Sequence, residues 1–163
     1  MMLNELKNQV GRWSMSNFGD NGMGEFKQLR PVLGIIEEIF EYEDAAENEL
    51  PKEEQIDALA DTGIYALDLC YQLGIDVPNY NEKTNPYFWK NIPRIFLKRV
   101  QGIRGYDQDD FYWDEVKAAI SSLFRFLDML CQFHGTSIEQ EIAATWQSIV
   151  SKRNWVENKE NGV

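Results

Sequence analysis

The chain has 163 residues, 44% of them hydrophobic and 13% aromatic, with 27 acidic against 16 basic side chains and a net charge of −11. That apolar content excludes a disordered polyelectrolyte and can fill one core, so a single domain over 1–163 is expected. The charge balance excludes a nucleic acid duplex as partner, which needs a basic face, but permits an anionic phosphate ligand bridged by a divalent cation.

The periodicity predicts helices nearly throughout, and no alternating strand pattern stands out. The start MMLNELKNQVGRW lacks the apolar run of a signal peptide, and no apolar stretch approaches the roughly 18 residues of a membrane span. The expectation is therefore a cytoplasmic protein with no membrane partner. A first helix over 2–17 ends in the glycine-rich NFGDNGMG. A second runs from Glu25 to Asn48, where ENELP stops it. Pro51 is expected in the first turn of a third helix, with Glu53 and Glu54 at its positive end, and Gly74 closes it. Residues 75–110 read as irregular apart from a short helix at IPRIFLKRV. A fourth long helix covers 111–134. A fifth begins at TSIEQE, where Thr136 or Ser137 with Glu139 or Gln140 forms a capping box, and runs to Trp155 ahead of a frayed tail over 156–163. The fold class is all-α, a bundle of four to five long helices. The segments ALDLCYQLGIDV and FLDMLCQFHGTSI, at 66–77 and 126–138, are a faint internal echo of a helix end followed by a turn.

The two cysteines, Cys70 and Cys131, sit inside apolar helical patterns and read as buried free thiols. The single histidine, His134, precedes Gly135 at a helix C-terminus, where a cation suits the helix dipole. One histidine excludes HExxH metalloproteases, histidine-rich zinc sites and the paired ExxH motifs of di-iron bundles.

The chemistry concentrates in the second and third helices. In GIIEEIFEYEDA, residues 34–45, Glu37, Glu38 and Glu41 fall opposite an arc of Leu29, Val32, Leu33, Ile35, Ile36, Ile39 and Phe40, with Gly34 and Ala45 in the acid stripe. No base lies between Arg30 and the helix end, so like charges crowd without the i,i+4 compensation of a solvated face. The third helix repeats the pattern with Glu54, Asp57, Asp61 and Asp68, and apolar Ala58, Tyr65 and Leu69 beside that stripe imply that part of it is enclosed. Packed antiparallel, the two helices would face carboxylates at each other. Oxygen-only donors suit Mg²⁺ first and Mn²⁺ next, against the plainer reading of a solvated acid face.

GIIEEIFEYEDA followed by DALADTGIYALDL resembles the all-α NTP pyrophosphatase superfamily, the MazG-like proteins, whose hallmark is EExxE, a linker and ExxD on the next helix. EExxE is complete as Glu37-Glu38-Ile39-Phe40-Glu41, and ALADTGIYAL is similar to the family's ELADVLIYLL. NQVGRWSMSNF resembles its N-terminal W…nF helix and TWQSIVSKRNWVENKENG its closing segment, with 78–112 left as an unmatched insert. The resemblance implies metal-dependent hydrolysis of a (d)NTP to (d)NMP and pyrophosphate. It implies Glu38, Glu41 and Asp61 as metal ligands, Glu37 orienting or deprotonating the attacking water, and a homodimer or homotetramer. The family's glutamate before the aspartate falls on Ala58, so Asp57 or Glu54 must substitute; the surrounding ADTGIY favours Asp61 with Asp57. Lys152 and Arg153, then Lys27, are candidates for neutralising phosphates, against dipole compensation at a helix end. Trp13 or Phe18 is a candidate to stack on the base and Tyr65 to reach sugar or phosphate, against ordinary core packing. The alternative is a catalytically degenerate bundle acting as a binding or regulatory oligomer.

Overall fold

The computed structural model describes residues 2–19, 27–106 and 112–152. Its elements are α1 (Met2–Phe18), α2 (Leu29–Glu47), α3 (Lys52–Leu73), a 3-10 turn (Phe88–Lys90), α4 (Asn91–Val100), α5 (Trp113–Phe133) and α6 (Ile138–Lys152). The described residues are all-α, and no helix among them is long and apolar enough to cross a membrane.

Helix α3 is the central element, and small residues let its neighbours approach it. A Cβ on Gly11 of α1 would lie 1.9 Å from Cγ of Tyr71, one on Gly34 of α2 2.5 Å from the Tyr65 ring, and one on Gly63 2.4 Å from Cδ1 of Ile142 in α6. Those three crossings, with α5 on a further side, leave Leu59, Ala60, Ala66, Leu67, Leu69 and Cys70 almost without solvent contact. One core cluster takes residues from every helix, including Trp89, Ile92, Ile95 and Phe96 from the 78–112 segment, so that segment helps to build the interior. The backbone N–H of Trp89 donates to the buried Ser122 Oγ at 2.8 Å, which ties the 3-10 turn to α5.

Local signals explain most helix ends. Gly74 at φ +68° and Gly135 at φ +83° close α3 and α5 in the left-handed conformation, with Ile75 N–H to Cys70 O and Thr136 N–H to Cys131 O both at 3.0 Å. These matching closures account for the echo between 66–77 and 126–138. His134 stands between the last residue of α5 and Gly135. At α6 the Ser137 hydroxyl accepts from Gln140 N–H at 3.3 Å and donates to Gln140 Oε1 at 3.2 Å.

Three boundaries differ from expectation. Lys27 and Gln28 form a turn, so α2 starts at Leu29, and the predicted start at Glu25 lies outside the described residues. Pro51 is the residue before α3 rather than its first: its ψ of 145° keeps it extended, and helical geometry begins at Lys52. The predicted run of α6 to Trp155, and the tail 156–163, lie outside the described residues beyond Lys152. Both cysteines are buried and free, and burial pushes each thiol up to about 12.

Candidate functional site

The register of α2 on α3 sets the site. Gly34 meets Tyr65, Glu38 senses the charge of Asp61, and Arg30 reaches Asp68 at 3.2 Å, so ascending positions on α2 meet descending ones on α3. The helices are antiparallel, and the stripe Arg30, Gly34, Glu38 runs along one edge of their contact. The helical wheel reading of α2 needs correction here. Leu33 and Phe40, assigned to the core arc, are 57% and 59% exposed, while Gly34 and Ala45 are buried. Packing on α3 is centred on Gly34, because the absent side chain is what admits the Tyr65 ring. That rotation exposes Leu33 and Phe40 and turns Glu38 inward.

Helices α1, α2, α3 and α6 enclose a cleft of about 660 Å³. From α1 come Val10, Trp13, Ser14 and Phe18, and from α2 Arg30 and Glu38. Asp57, Asp61, Ile64, Tyr65 and Asp68 enter from α3, and Trp146, Ile149 and Lys152 are among those from α6. Of the residues predicted from sequence, the cleft unites Glu38, Asp57, Asp61, Trp13, Phe18, Tyr65 and Lys152. It does not unite all of them. Glu37 and Glu41 are exposed on α2 and outside the lining, although both charges act on Glu38. Lys27 is in the turn before α2 and does not line the cleft, and Arg153 lies outside the described residues. Ala58 is only 3% exposed, so the position at which the resemblance expects a glutamate is occupied here by a buried packing residue. No described residue of 78–112 is among those that line the cleft.

The acid end of the cleft is electrostatically strained. Burial first, then the charges of Asp61, Glu41 and Glu37 and a hydrogen bond with Glu41, push the Glu38 carboxyl up from 4.5 to about 8. The sign of its effect on folding follows. A carboxyl raised in the folded state contributes stability that is present below its ordinary value and lost as pH rises through about 8. In cation-free protein, wild type should therefore lose stability relative to Glu38→Gln between pH 5 and pH 9, read from urea midpoints in EDTA; parallel curves would contradict the electrostatics described. Tyr65 is raised too, chiefly by burial, with Arg30 lowering it and Glu38, Glu37 and Asp61 raising it, as befits a ring set between the cation and the acids.

The other end is aromatic and polar. Trp13 stands edge-on to Phe18 at 5.5 Å and to Trp146 at 5.8 Å, and the Trp146 indole N–H donates to Gln9 Oε1 at 3.0 Å. Asp68, 2% exposed, accepts from the Ser14 hydroxyl at 2.8 Å, Arg30 Nη1 at 3.2 Å and the Gln72 amide at 3.3 Å. Burial raises this carboxyl against the lowering pull of Ser14, Gln72 and Arg30. The Arg30 guanidinium lies 3.7 Å over the Phe18 ring and 5.9 Å from that of Tyr65. Sequence reasoning passed over Arg30, Ser14 and Trp146. The available signal was a base in the first turn of α2, where the dipole disfavours it unless a partner fixes it.

Among the described residues no group of three or more His, Cys, Asp or Glu side chains is arranged to hold a metal ion. The donor chemistry nevertheless fits a hard cation. Glu38 and Asp61 bring carboxylate oxygens to one end of the cleft, and the raised Glu38 carboxyl marks a place where added positive charge is favourable. His134 is not among the residues that line the cleft. Comparison with family models, with curated proteins and with solved structures finds no match.

Proposed function

We propose that the protein is a metal-dependent nucleoside triphosphate pyrophosphohydrolase of the MazG-like type, cytoplasmic and acting as a homodimer or homotetramer. The observation that carries this reading is the cleft itself, where Glu38, Asp57 and Asp61 share one enclosure with Trp13, Tyr65 and Lys152. Residues from four helices thus offer a nucleotide a carboxylate end, an aromatic end and a cation. The volume of about 660 Å³ is in the range of a nucleotide site.

Glu38 and Asp61 would hold Mg²⁺ or Mn²⁺, with Glu41 and Asp57 completing the set; both are exposed, so re-orientation toward Glu38 costs little packing. The ion supplies charge neutralisation of phosphate oxygens and a more acidic bound water. Glu37, exposed beside this pair, orients or deprotonates the attacking water. Lys152 neutralises phosphate charge from α6, with Arg153 and Lys27 as further candidates, and Trp13 packs on the base.

A second reading has its own support. Ala58 is buried where the family has a ligand, and the described carboxylates are not assembled around one point, as in a bundle that binds without catalysis. Thermal unfolding separates the two. Mg²⁺ with a non-hydrolysable NTP at a hundredfold excess over Kd should raise Tm by about 5–10 °C, from about 2.7 kcal/mol of linked stabilisation. The enzyme reading requires the nucleotide increment to vanish without the cation. A cation shift with no nucleotide increment would support a structural ion instead.

A further inference from the structure

Two ends of the cleft are separated along the same pair of helices. Arg30 and Asp68 face each other at one level, and Glu38 and Asp61 at another. From residue 30 to residue 38 is eight helical positions, about 12 Å at 1.5 Å each, which is the reach from a triphosphate to the far edge of its base. We infer that Arg30, positioned by Asp68 and Ser14, is the base-reading residue of this cleft and selects 6-oxopurine nucleotides over 6-aminopurine ones. The inference rests on the nucleotide reading above and names its substrate class.

Three features favour a base over a phosphate at Arg30. Its charge is matched by a buried carboxylate that three donors surround, so the pair is suited to a neutral acceptor edge rather than a polyanion. The guanidinium plane is held over Phe18 at 3.7 Å, in the aromatic end rather than the acid end of the cleft. Both of its hydrogen bonds, to Asp68 at 3.2 Å and Ser14 at 3.3 Å, leave from Nη1, and no other Arg30 nitrogen is bonded among the described residues. A guanidinium fixed in this way offers a fork of N–H donors and no acceptor. Two adjacent acceptors match it, as in O6 and N7 of a 6-oxopurine, whereas adenine puts an N–H₂ donor beside N7.

Inosine and adenosine nucleotides share sugar and phosphates and differ only in the C6 substituent and in the proton that inosine carries on N1. Along the edge that includes N7 the C6 substituent is the sole difference, which makes them the test pair. Binding of IMP and AMP is read by quenching of tryptophan fluorescence, since Trp13 and Trp146 line the cleft, and kcat/KM is measured in parallel for ITP and ATP with Mg²⁺. Wild type should favour the 6-oxo member by roughly tenfold or more in both measurements. Arg30→Gln should lose or reverse that ratio, because a glutamine amide pairs with N6 and N7 of adenine. Since Arg30→Gln leaves Asp68 buried without its cation, the double variant Arg30→Gln with Asp68→Asn provides a folded comparison with the same expected ratio. Equal affinities in wild type, or a preference that Arg30→Gln leaves intact, would overturn the inference. If pyrophosphate is released from ATP and ITP alike, the base-reading role fails while the enzyme reading stands. Preferential IMP binding that depends on Arg30 but comes with no hydrolysis would uphold the role of Arg30 and overturn the enzyme.

Discussion

Glu38→Gln is expected to lower pyrophosphate release by about a hundredfold or more while stabilising the cation-free protein above pH 7. The two effects have one cause. Glu38 is pressed between Asp61, Glu41 and Glu37 in a partly buried position that raises its carboxyl to about 8, so its negative charge opposes folding when no cation is present. The same unfavourable charge is what the proposed ion needs, and losing a ligand removes several kcal/mol of charge stabilisation in the transition state. Asp61→Asn should behave likewise in activity. Steady-state kinetics and thermal melts in EDTA and in Mg²⁺ would check both halves. A variant with wild-type turnover would remove Glu38 from the mechanism. One that loses activity and stability together would mean that Glu38 supports the fold. Enzymes commonly carry such functional destabilisation at their sites.

The second large effect is on the scaffold. Gly11→Ala should destabilise the protein although alanine is the better helix former. Alanine gains up to about 1 kcal/mol from helix propensity. Against this, its methyl would be placed 1.9 Å from Cγ of Tyr71, an atom that turning the ring about χ2 does not move, so relief needs a χ1 change of the whole ring or a backbone shift. Overpacking of this kind costs about 1–3 kcal/mol, here at the upper end, which leaves a net loss of about 2 kcal/mol. Gly63→Ala should cost least of the three crossing glycines, because the opposing atom is the end of a flexible side chain, Ile142 Cδ1. Chemical denaturation of Gly11→Ala, Gly34→Ala and Gly63→Ala would check the order. An increase in stability for Gly11→Ala would contradict the close approach of α1 to α3.

The architecture was legible where a local rule decides it. Gly74 and Gly135 stop α3 and α5, Ser137 with Gln140 starts α6, and each rule uses residues within one turn of one another. The acid stripes of α2 and α3 were legible as facing pairs, and Glu38 with Asp61 are brought together. What could not be read is tertiary. Leu33 and Phe40 obey the helical period of a core face, yet the rotation of α2 is fixed by Gly34 seating the Tyr65 ring, a partner on another helix. Arg30 acquires its meaning from Asp68 and Ser14, 38 and 16 positions away, and no spacing rule joins them. Trp146 enters the cleft only because α6 crosses α3 at Gly63, so its aromatic partner Trp13 looked like a lone core residue.

The most direct test of the central claim is pyrophosphate release by the wild-type protein from ATP, ITP, GTP, CTP and UTP and their deoxy forms, with Mg²⁺ or Mn²⁺ and with EDTA. The account predicts release of one pyrophosphate and one monophosphate per nucleotide that requires the divalent cation, with ITP and GTP turned over faster than ATP. Folded protein that releases nothing from any nucleotide with either cation would contradict it, and buried Ala58 would then mark a bundle that binds without cleaving.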